Sequence, residues 1–229
     1  MTKEMLAGMI DHTCLKASAS EKDIEDLCIQ AKEYGFASVC VNSSRTAQAF
    51  SLLCGSGVKV CTVAGFPLGA QSTKSKVCEA VTAVQDGAEE IDMVISVGHV
   101  KDNDWNYVEQ DIRSVVNACN DAGAAVQREC CVKVIIETCL LSDDEIIKVC
   151  LIAKKAGAHF VKTSTGFSTA GAKTEHVELM RNTVGKAMGV KASGGIRDLE
   201  TALKMIHAGA NRLGLSSGME IITQYMSKK

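Results

Sequence analysis

The chain has 229 residues, enough for one large domain or two small ones with a substantial core. Hydrophobic residues make up 46% and charged ones 23%, and the formal charge of −2 gives no long-range attraction for nucleic acid or acidic membranes. No apolar run approaches membrane-spanning length, and the opening Met1-Thr2-Lys3-Glu4-Met5 has no apolar secretion segment, so neither nucleic acid nor membrane is an expected partner.

Eleven cysteines invite a disulfide or zinc reading. Their number is odd, no Cys-x-x-Cys occurs, and Cys28, Cys40, Cys61 and Cys150 fall in the apolar phase of helix or strand patterns. There free cysteine behaves as a small hydrophobe, and a reducing, cytoplasmic compartment is expected. The five histidines show no paired spacing. No metal site and no cofactor are expected.

In chain order, strands are predicted at Ile10–Cys14, Ser38–Val41, Lys59–Ala64, Ile91–Ser96, Val132–Glu137, His159–Thr163, Val190–Ser193 and Arg212–Leu215. Amphipathic helices lie between them. The helix before Gly35 carries the stripe Ile24, Leu27, Cys28, Ala31 and Tyr34, at i, i+3, i+4 and i+7. The helix before Gly157 opens on Ser142-Asp143-Asp144-Glu145, a capping box, and continues its stripe through Ile146, Val149, Cys150 and Ala153. Gly35, Gly87, Gly123, Gly157 and Gly209 each read as the left-handed residue that closes a helix before the next strand. Eight alternating units imply parallel pairing by right-handed crossovers, and hence an α/β fold, a (β/α)₈ barrel of one domain spanning 1–229.

In such a barrel the site lies at the C-terminal ends of the strands. Two lysines stand in apolar strands that run into small-residue turns: Phe160-Val161-Lys162-Thr163-Ser164-Thr165-Gly166 and Val190-Lys191-Ala192-Ser193-Gly194-Gly195. Buried lysines need a partner, and a desolvated one beside another cation offers the neutral amine that forms a Schiff base with a carbonyl. Asp92 interrupts a third apolar strand, as a partner for such lysines or as half of a purely structural ion pair. Lys133 reads either as part of the same interior network or as a charge snorkelling out at the start of its strand. The turns after Lys162 and Lys191, with Gly214-Leu215-Ser216-Ser217-Gly218 ending the last strand, would let backbone amides approach an anion. Singly, such turns are most often only turns.

The segments Asp11-His12-Thr13, Val39-Cys40-Val41-Asn42, Val63 to Gly69, Glu90 to Val94, Lys133 to Thr138, Val161 to Gly166, Lys191 to Arg197 and Gly214 to Ser217 together resemble the deoxyribose-phosphate aldolases over nearly the whole chain. That resemblance implies a metal-free class I aldolase acting on a small sugar phosphate in deoxyribose catabolism, cleaving 2-deoxy-D-ribose 5-phosphate reversibly to D-glyceraldehyde 3-phosphate and acetaldehyde. It implies Lys162 as the Schiff-base lysine, Lys191 as the cation that keeps Lys162 deprotonated, and Asp92 as the acid/base during carbinolamine formation and the carbon–carbon bond change. Gly166, Gly194, Gly195, Gly214, Ser216 and Ser217 resemble the phosphate-binding positions. Asp11, Thr13, Cys40 and Thr163 match residues lining the sugar and aldehyde part of the pocket; for Cys40, plain core packing is the alternative. A homo-oligomer, dimer or larger, is also implied.

Two departures stand out. Phe167 follows Gly166 where some relatives carry a lysine, and Tyr225 cannot be equated with the tail tyrosine that reaches the site in others. Rival readings of the same residues are another Schiff-base barrel, such as a transaldolase or a pyridoxal-phosphate enzyme, and a sugar-phosphate sensor without turnover.

Overall fold

The computed structural model describes residues 1–228. Its eight strands are β1 (Ile10–Cys14), β2 (Ser38–Val41), β3 (Lys59–Ala64), β4 (Glu90–Val94), β5 (Cys131–Ile135), β6 (Phe160–Lys162), β7 (Gly189–Ser193) and β8 (Arg212–Leu215). All pair in parallel in sequence order, and β8 returns to β1 through Asp11 opposite Gly214, which closes the barrel. The helices are α1 (Lys3–Ala7), α2 (Glu21–Tyr34), α3 (Thr46–Leu53), α4 (Thr73–Gln85), α5 (Val97–Lys101), α6 (Trp105–Ala125), α7 (Asp143–Lys155), α8 (Thr174–Val184), α9 (Leu199–His207) and α10 (Gly218–Ser227).

The expected stripes of α2 and α7 are their buried faces, apart from the partly buried Tyr34, and both helices open on complete capping boxes, at Ser20/Asp23 and Ser142/Glu145. Gly35 has φ 68°, and Gly87, Gly157 and Gly209 also take positive φ, as read from the sequence. Gly123 differs. It lies inside α6, and a Cβ there would meet the Arg128 carbonyl oxygen at 2.5 Å, so close backbone approach and not helix closure demands glycine.

Three strands end earlier than predicted: β6 covers Phe160–Lys162 instead of His159–Thr163, and two others stop two residues short of their apolar runs. β4 covers Glu90–Val94 instead of Ile91–Ser96, and β5 covers Cys131–Ile135 instead of Val132–Glu137. The next residues, Ile95 and Ile136, remain buried and still donate amide bonds to Ile135 (3.1 Å) and Lys162 (3.0 Å), so the apolar pattern outlasts the ladder. Glu137 then turns the chain, with φ 54°.

One continuous apolar layer lies between the helices and the outer face of the barrel. Inside the barrel, a small apolar wall of Leu15, Cys40, Cys61 and Val63 faces a polar interior. No helix among the described residues is long and apolar enough to cross a membrane.

Candidate active site

Residues two apart on a strand share a face, so the barrel turns Glu90 and Asp92 of β4 to the same side. Lys133, Lys162, Lys191, Arg212 and Asp11 join them from β5, β6, β7, β8 and β1. Asp92 sits at the centre. Its Oδ2 accepts from Lys162 Nζ and from Lys191 Nζ, each at 2.7 Å, and its Oδ1 accepts from Lys133 Nζ at 2.8 Å and Cys61 Sγ at 3.3 Å. Lys191 also pairs with Asp11, and Lys133 with Glu90 at 2.6 Å. Arg212 closes the lower layer, donating to Asp11 at 2.7 Å and Glu90 at 2.5 Å.

Three carboxylates thus face four bases in a space where an unpaired charge is costly. Burial would raise the Asp92 carboxyl, but Lys133, Lys162 and Lys191 outweigh it and hold the group well below the usual carboxylate range. Asp11 is held down in the same way, against burial, by Lys191, Lys133 and Arg212. Burial opposes charge on Lys191 and Lys133, yet Asp11 and Asp92 raise Lys191, and Asp92 and Glu90 help raise Lys133, so both keep their protons firmly. Three firmly held cations already balance three carboxylates. Lys162 is the fourth base, last in its strand, with Asp92 as its salt-bridge partner.

The β6 and β7 turns brace each other above this layer. Thr163 Oγ1 donates to the Ser193 carbonyl (3.2 Å) and accepts the Ser193 amide (3.0 Å), and Ser193 Oγ donates to the Ser164 carbonyl at 2.5 Å. Gly166 (φ 84°) faces Gly194 (φ 84°), with Gly195 following (φ 81°). Gly171, which the sequence reading passed over, locks the pair: a Cβ there would fall 2.1 Å from the Gly194 carbonyl oxygen. Gly214 is buried in β8, with Lys191 Cε 3.0 Å from where a Cβ would project; Ser216 and the half-buried Ser217 lead into α10. Unpaired first-turn amides make such a start a ready anion site.

Thr13, half-buried, donates to the Asp11 carbonyl at 2.9 Å, while Asp11 and Cys40 are fully buried inside the barrel. Cys40 stands in register with Cys61, whose hydrogen bond lowers its thiol, whereas burial pushes Cys61 well up. Cys40, Cys61 and Asp92 place ligand atoms within 4.8 Å of one another, a donor set for a thiophilic ion. Lys133 and Lys191, which keep their protons beside Asp92, oppose further positive charge there.

The structure places Lys133 wholly inside the network, not snorkelling outward. Tyr225 bonds the Met1 carbonyl, beside α1 ahead of β1. Glu90, Cys61, Arg212 and Glu137 escaped the sequence reading. Glu90 was findable from its two-residue spacing to Asp92; the others carry no local signal.

The family model described as DeoC/LacD family aldolase matches residues 5–224. The chain belongs to that family. It is similar to the deoxyribose-phosphate aldolase of Aciduliprofundum boonei, 57% identical over 222 residues that cover 97% of each chain. The enzyme of the same name from Clostridium kluyveri is also 57% identical, over 98% of this chain and 100% of its own. In three dimensions the fold matches the tetrameric deoxyribose phosphate aldolase of Aeropyrum pernix with a TM-score of 0.91, at 33% identity, over 100% of this chain and 94% of that one.

Proposed function

We propose that this aldolase works through Lys162, and the observation that carries the reading is the shared Asp92 oxygen 2.7 Å from both Lys162 and Lys191. The reaction is reversible cleavage of 2-deoxy-D-ribose 5-phosphate to D-glyceraldehyde 3-phosphate and acetaldehyde, the activity for which the relatives above are named. It belongs to deoxyribose catabolism.

Lys162 attacks C1 of the open-chain sugar as a neutral amine, and the carbinolamine loses water to give an iminium. Loss of the C3 hydroxyl proton then breaks the C2–C3 bond, whose electron pair flows into the iminium and leaves an enamine. The triose phosphate departs. Protonation at C2 and hydrolysis release acetaldehyde and restore the amine. Asp92 is ionised at rest, so it acts first as proton acceptor beside the reacting nitrogen, and General acid–base help of this kind is worth about 10² to 10⁴ in rate. Lys191 stays charged throughout, held by Asp11 and Asp92, and keeps a fixed cation beside the reacting nitrogen. Gly166, Gly194, Gly195, Gly214, Ser216 and Ser217 receive the phosphate largely through backbone donors. Thr13, Thr163, Asp11 and Cys40 shape the sugar and aldehyde part of the pocket.

The chain acts as one domain, in the cytoplasm, as a homo-oligomer; the tetrameric Aeropyrum pernix relative supports assembly. Mixing the protein with deoxyribose 5-phosphate should release triose phosphate, and borohydride with acetaldehyde should fix a two-carbon adduct on Lys162. An adduct mapped to another lysine would overturn the assignment.

A further inference from the structure

We propose that Glu137 is a positioning residue that sets the Thr165–Phe167 turn and thereby the preference for a phosphorylated sugar, an inference that rests on the aldolase reading above. Glu137 is 3% exposed and takes the left-handed conformation (φ 54°, ψ 63°), uncommon for any residue but glycine. Among the described residues no ion pair reaches it, so hydrogen bonds must compensate its buried carboxylate. The turn provides them. Both carboxylate oxygens lie 3.3 Å from the Thr165 amide, and Oε2 also accepts the Thr165 hydroxyl. Thr165 Oγ1 in turn accepts the Phe167 amide at 3.1 Å. One carboxylate therefore fixes both residues that flank Gly166, the glycine facing Gly194.

Packing does not do this alone. Behind the turn a cavity of about 90 Å³ lies among Pro67, Leu68, Val94, Leu140, Phe167 and Glu137 itself, so the apolar contacts are incomplete. Phe167 brings no positive charge, which leaves anion binding here to the direction of backbone amides. Direct contact between Glu137 and a phosphate is disfavoured by like charge. Its influence on the substrate passes through the turn.

The test compares kcat/KM for deoxyribose 5-phosphate with that for unphosphorylated deoxyribose, in the parent, Glu137→Gly and Glu137→Gln. Glycine suits the left-handed backbone, so Glu137→Gly removes the carboxylate without forcing a new turn. The phosphate preference should fall about ten- to a hundredfold in Glu137→Gly, as expected for lost charge-assisted hydrogen bonds, and less in Glu137→Gln, which keeps an acceptor. Cleavage of deoxyribose itself should change less than about threefold, within what loss of one ordinary hydrogen bond would cause. An unchanged preference, or equal losses on both sugars, overturns the role of Glu137 alone. A parent enzyme with no preference for the phosphorylated sugar overturns the proposed phosphate site, and this inference with it.

Discussion

Lys162 and Lys191 reach the same oxygen of Asp92, each at 2.7 Å, so their nitrogens lie within twice that distance of one another. Two full ammonium charges that close repel even with a carboxylate between them, and Lys191 has the second carboxylate, Asp11, to hold its proton. We propose Lys191 as the permanent cation and Lys162 as the nucleophile. Lys162→Arg should be as inactive as Lys162→Ala in a triose-phosphate assay, because a guanidinium keeps its proton at neutral pH. Measurable turnover by Lys162→Arg would remove the lysine from the chemistry.

Acid stability should reflect the same network. Asp11 and Asp92 are held below their ordinary value of 3.8, so the unfolded chain binds their protons first as pH falls. Their contribution to stability is complete above about pH 4 and is lost as pH drops toward their folded values. Urea midpoints measured from pH 5 to pH 2 should decline steeply below pH 4. A flat series would mean that these carboxylates are not ionised in the fold.

Lys133→Met tests the deeper layer. The change leaves Glu90 and Asp92 short of a cation in a fully buried setting, and breaking such a pair from one side costs about 3–5 kcal/mol. Chemical denaturation should register that loss, and a change below about 1 kcal/mol, the scale of an exposed pair, would show the site to be hydrated.

A second buried pair, Lys76–Asp111 at 2.6 Å, joins α4 to α6 outside the Asp92 network. Lys76→Met alone should cost about 3–5 kcal/mol by stranding Asp111, whereas Lys76→Met with Asp111→Leu should recover most of it. Additive losses in the double variant would contradict the account.

Gly171→Ala should damage phosphate binding without touching the Schiff base. The new methyl would strike the Gly194 carbonyl and push apart the two turns. KM for deoxyribose 5-phosphate should rise by about tenfold or more, since displacements near 1 Å can cost 10²-fold, while acetaldehyde still traps Lys162 under borohydride. An unaltered KM would separate these turns from the phosphate.

Much of this was legible in the chain itself. The alternation of stripes, capping residues and apolar runs is local chemistry, and it fixed the eight strands and the barrel; Lys162, Lys191 and Asp92 stood out because charge inside an apolar strand needs a partner. Strand ends were less legible at β4 and β5, where Ile95 and Ile136 stay buried after the ladder stops. Arg212 looked like an ordinary first residue of a strand, and Glu137 like the end of one. Their significance lies in partners 201 and 28 residues away, Asp11 and Thr165.

Residue type and spacing alone determined that lysines would be trapped in the wall of a closed sheet, because hydrophobic period and turn chemistry act over a few neighbours. Which cation belongs to which carboxylate was decided only by closure of the barrel. Closure brings β1 beside β8 and sets Asp92 among bases from β5, β6 and β7. Electrostatic pairing depends on distances of a few ångströms across the interior, and no linear pattern encodes them.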